Sequence, residues 1–133
     1  MLQALGYVID AVWHGVLHPG VEPRTVGGMA RHLVTVHLPL YIGAILVLIT
    51  TLTAVARRGR NSGIALLVAA AGAVVSTGAE AFHAISHVRL DTHAAPVAGT
   101  VSVLGFLVVV VALTVSGRRG RRSADVRRDR RAA

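Results

Sequence analysis

Cysteine is absent from this 133-residue chain. That removes disulfides, thiolate metal sites and cysteine nucleophiles together, so any bound metal must rely on histidine and carboxylate. Lysine is absent as well, and all fourteen basic residues are arginine. Met1 and Met29 are the only methionines, too few for the thioether sites that select Cu(I). Charge is scarce: 15% of residues are charged, 53% are hydrophobic, and the mean hydropathy is +0.63. A soluble domain rarely has this balance, and a chain of this length has room for one small domain.

What is present in quantity is apolar sequence. Four runs, at about residues 2–17, 34–56, 63–88 and 96–116, lie near the roughly 17 to 25 residues that cross a bilayer. They predict an all-α integral membrane four-helix bundle over residues 1–116, with four transmembrane helices running up-down-up-down. The first run is short for a span. It lacks a basic start and a small-residue cleavage site, so it reads as a retained helix rather than a signal peptide. Residues 117–133, GRRGRRSADVRRDRRAA, have no apolar periodicity and read as a disordered Arg-rich tail.

A formal charge of +8 raises the question of nucleic acid, but the arginines are placed as topology signals. Arg57, Arg58 and Arg60 follow the second run, and Arg118, Arg119, Arg121 and Arg122 follow the fourth. This is the cytoplasmic loop and tail of the positive-inside rule, with both termini in the cytoplasm of a multi-pass cell-membrane protein. Membrane lipid is therefore the expected partner, and the tail suits anionic head groups; no nucleic-acid partner is expected.

Under that topology, His14, His18, His32, His37, His83, His87 and His93 all fall at the extracytoplasmic end. Glu80, His83 and His87 share one helical stripe through steps of three and four. Asp10, His14 and His18 repeat the pattern at steps of four, so each outward helix offers one carboxylate and two histidines. His37 precedes Pro39 and His93 precedes Pro96 at the starts of the return helices, which suggests a weak repeat of two hairpins. His32, five residues from His37, points elsewhere on a regular helix and reads as a surface histidine.

Carboxylates at membrane depth are costly, so Asp10 and Glu80 should face the bundle interior and be paired. A divalent cation would pair both. The step from Glu80 to His83 matches the Glu-x-x-His element of carboxylate-bridged di-metal bundles. The step from His83 to His87 is the two-imidazole spacing of zinc-binding helices. The expected ligands are Asp10, His14, His18, His37, Glu80, His83, His87 and His93, holding one or two ions of Fe, Cu or Zn. Glu80 or Asp10 would serve as the catalytic base of a hydrolase.

These residues predict a membrane metalloprotein, an oxidoreductase or hydrolase acting on a lipid-phase small molecule, alone, as a homo-oligomer or within a larger complex. Two other readings use the same residues: a metal-binding or metal-transfer protein without turnover, and a b-type haem protein with two axial histidines. The 4% aromatic content gives little to pack a porphyrin. Glu22 and Asp91 read as solvated loop acids. Tyr7 and Trp13 read as lipid-facing or interfacial anchors, and Ser76 and Ser86 as packing residues.

Overall fold

The computed structural model describes the backbone of residues 1–91 and 94–132, with side chains over the same residues except 61, 94, 95 and 119–132. Helix α1 spans Leu2–Val12 and widens into a π-helical turn at Trp13–Leu17. Helix α2, Val26–His32, passes through a second π turn, Leu33–His37, into α3, Leu38–Arg58. A 3₁₀ turn at Gly59–Asn61 leads to α4, Ile64–Val88, and α5 covers Ala94–Ala132. Among the described residues there is no strand.

Local chemistry sets several of these limits. Thr25 is an N-cap whose Oγ1 accepts from the Gly28 N–H at 3.1 Å, so the helix begins at Val26 despite the Gly27-Gly28 pair. Gly59, at φ 51°, closes α3 with its N–H on the Val55 carbonyl, a conformation glycine adopts without steric cost. Helix α5 continues through the Arg-rich segment predicted to be disordered, and arginine and alanine are both good helix formers.

Each π turn ends two residues before a proline: Leu17 before Pro19, and His37 before Pro39. Proline has no N–H for the carbonyl four residues earlier and its ring crowds that carbonyl, so the preceding turn opens. In the second turn, the Thr35 hydroxyl donates back to the Arg31 and His32 carbonyls at 2.9 and 3.3 Å.

Among the described residues, three stretches are long and apolar enough to cross a membrane: Val26–Arg58, Ile64–Val88 and Pro96–Arg118, with mean hydropathies of 2.2, 1.8 and 2.5. Helix α1, 11 residues followed by a five-residue π turn, is shorter than a bilayer requires. Burial runs opposite to that of a soluble protein. Ala69 and Ala73 are 0% and 1% exposed, whereas Ile49, Leu104 and Val111 are 56%, 57% and 60% exposed. Small and polar side chains share the interior with a few large ones such as Met29 and Leu40, while most large aliphatic side chains face outward, as in a bundle immersed in lipid. The described residues form an all-helical protein with three candidate membrane-spanning helices.

Packing is antiparallel between successive rods. A Cβ on Gly6 would meet the Leu40 backbone and one on Gly43 the Gln3 backbone, so α1 lies directly against α3. A Cβ on either Gly72 or Gly105 would come within 2.8 Å of the other residue's carbonyl oxygen, which fixes the α4–α5 approach. Thr77 Oγ1 donates to the Ala44 carbonyl at 3.2 Å and ties α4 to α3.

Tyr7 departs from its sequence reading. Rather than anchoring in lipid, its hydroxyl lies 2.6 Å from Ser102 Oγ and its ring packs on Phe106, joining α1 to α5. Gln3 Nε2 donates to Ser76 Oγ at 2.8 Å, and Ser76 Oγ lies 3.1 Å from Ser102 Oγ. Apolar sequence around Gln3 and Tyr7 gave no sign of this buried polar seam, because its partners are about 70 to 95 residues away.

Candidate metal centre

Five histidines gather where the ends of α1 and α4 meet the start of the α2–α3 rod. His14 comes from the first π turn, His32 and His37 flank and close the second, and His83 and His87 lie one turn apart on α4. His37 is 0% exposed and central. His14, His32 and His37 form one group of converging nitrogens, and His37, His83 and His87 form another; within each, all three ligand atoms lie within 4.8 Å of one another.

Three pairs of Nε2 atoms are in direct contact: His14 with His32 at 3.3 Å, His32 with His37 at 3.2 Å, and His83 with His87 at 2.8 Å. At a metal–nitrogen distance of about 2.0 to 2.1 Å, a tetrahedral shell has ligand–ligand edges of about 3.3 to 3.4 Å. The first two contacts fit that edge. The third is nearer the roughly 2.9 Å of ligands at a right angle around the same bond length. His32 Nε2 has one hydrogen or one lone pair to serve two neighbours, so protons satisfy this row poorly, whereas a cation accepts all three nitrogens.

Two carboxylates stand behind these rings. Asp10 Oδ1 lies 3.1 Å from His37 Nδ1 and 3.6 Å from His14 Nε2; Glu22 Oε2 lies 3.7 Å from His87 Nδ1. None of these contacts is aligned as a hydrogen bond. Asp10 Oδ1, His37 Nδ1, Glu22 Oε2 and His87 Nδ1 are all buried without a hydrogen-bond partner. Buried polar atoms are normally satisfied, and a cluster of orphans beside converging imidazoles fits a cation that supplies the missing interactions. A carboxylate on the outer nitrogen of a ligating histidine also orients the ring and raises its basicity.

His32 corrects its sequence reading. Five residues rotate a regular helix by about 140° beyond a full turn, which would part it from His37. The π turn between them removes that rotation, and His32 is 6% exposed and in contact with both His14 and His37. The usable sequence signal is the proline two residues past His37. Glu22, read as a solvated loop acid, instead approaches His87.

His18 joins neither group. Its ring stacks on Trp13 with centroids 3.8 Å apart, and Trp13 in turn lies against His32 at 5.7 Å, as a wall of the cluster rather than an interfacial anchor. Glu80 is 2% exposed and also stands outside both groups. His93 lies outside the described residues.

The centre opens into a cleft of about 600 Å³. Asp10, His14, Glu22, His83 and His87 line one side, and Pro96, Thr100, Val103 and Leu104 of α5 line the other. Polar ligands thus face an apolar wall. Searches against protein-family models, curated proteins and solved structures found no match to this chain.

Proposed function

We propose that this protein is a membrane metalloenzyme in which His14, His32, His37, His83 and His87 hold one or two transition-metal ions, with Asp10 and Glu22 supporting them. In this reading α1 completes a four-helix bundle with both termini cytoplasmic, and the centre lies near the extracytoplasmic face. The observation that carries the proposal is the convergence of imidazole nitrogens from three helical rods into two groups whose ligand atoms lie within 4.8 Å of one another, ringed by buried carboxylate and imidazole atoms without partners.

A nitrogen-rich, sulfur-free set suits zinc, iron or Cu(II). Bound there, the metal would supply Lewis acidity, or redox chemistry if it is iron or copper. The chain's own residues do the rest. The α5 wall and the cleft receive an apolar molecule from the lipid phase, and Asp10 at the cleft holds or releases a proton. The cleft favours turnover over simple metal storage, because storage needs no apolar wall beside the ligands. Haem is disfavoured: axial histidines lie on opposite faces of a macrocycle, and the ring centroids here are 4.4 to 5.7 Å apart, edge to edge.

X-ray absorption on protein reconstituted with zinc or iron tests the reading. At least three imidazole ligands per ion are expected, and a shell dominated by water or by carboxylate oxygen would overturn it.

A further inference from the structure

We propose that Glu80 anchors a second site, for a hard monovalent cation such as sodium, in the interior of the bundle, beside the histidine centre and bordered with it by Asp10 and His83. Glu80 is 2% exposed, and both its carboxylate oxygens lack a hydrogen-bond partner. They belong to a cavity of about 270 Å³ between α1, α3, α4 and α5, lined by Tyr7, Asp10, Leu40, His83 and Gly99. A carboxylate inside a membrane bundle needs a countercharge. The chain has no lysine, and the next arginine along α4, Arg89, lies nine residues on, about 13 Å along the axis.

Besides His83, the neighbouring donors are oxygens. Ser102 stands beside Glu80, and its hydroxyl is linked to those of Tyr7 and Ser76. Ser76 is one turn before Glu80 on the same face of α4. Carboxylate and hydroxyl oxygens suit hard cations, whereas imidazole suits the borderline metals of the other centre. One carboxylate is neutralised by one positive charge; Asp10, the other acid at the cavity, already lies against His37. A bare proton would neutralise Glu80 too, but it has no use for a cavity of this size with the Tyr7 hydroxyl on its wall. This inference does not depend on the metal reading, since it is tested with the histidine centre empty.

The test is infrared difference spectroscopy on full-length protein in lipid nanodiscs after chelator treatment, exchanging sodium for N-methylglucamine at constant pH. Sodium is expected to convert a protonated-carboxyl band into a carboxylate band. Glu80→Gln should abolish the response, and Asp91→Asn, an exposed acid outside this cavity, should retain it. Radioactive sodium binding gives a second readout, in which Ser102→Ala should weaken binding while the protein stays folded. Carboxyl bands that follow pH alone and ignore sodium would overturn the proposal, as would a sodium response that survives Glu80→Gln.

Discussion

At the end of the bundle bearing Arg57 and Arg118, the helices meet through Ala69, Ala73, Val109 and Ala112, with Val47 and Leu48 packed against them. At the opposite end they meet through imidazoles. The first arrangement needs only regular helices and small residues that admit close approach. The second needs two π turns that rotate His14, His32 and His37 toward one another. The apolar end makes the bundle rigid, and the polar end departs from helical regularity where ligands must converge, as functional sites often do.

The sharpest way to break this contrast is His37→Ala, because His37 is shared by both three-histidine groups. Metal affinity should fall by more than about a hundredfold, beyond the range typical of supporting residues, as measured by chelator competition. Acid should act in the same direction. Protons compete with metal for imidazole, so occupancy should fall as pH is lowered from neutral through the acid range. Metal content after dialysis across that range checks the sign.

Asp10→Asn keeps the shape beside His37 and removes the charge, and should weaken metal binding by about 10- to 100-fold without abolishing it. Gly105→Ala probes the other end. Its Cβ would lie 2.8 Å from the Gly72 carbonyl oxygen, so stability should fall by about 1–3 kcal/mol in denaturant titrations while metal stoichiometry holds. The smallest effect is expected for His18→Ala, which loses a stack on Trp13 and leaves metal content unchanged.

Much of this contrast was legible in the sequence. Steps of three and four put His83 and His87 with Glu80 on one stripe, and antiparallel hairpins between arginine clusters carried the histidines to one end. Three of the four apolar runs are long enough to span a membrane. What was not legible depended on departures from ideal helices or on distant partners. A period of 3.6 residues placed His32 away from His37, although Pro39 held the clue to the π turn. Glu80 matched a di-metal motif by spacing, yet it lies outside both histidine groups because spacing along one helix says nothing of depth between helices. Tyr7 looked lipid-facing because Ser102 reaches it only through the fold.

The most direct test is elemental analysis of protein purified without a histidine tag, alongside the His37→Ala variant. One or two zinc, iron or copper ions per chain in the parent, lost in the variant, is the predicted result. A folded parent protein that carries no transition metal and takes up none on reconstitution would contradict the central claim.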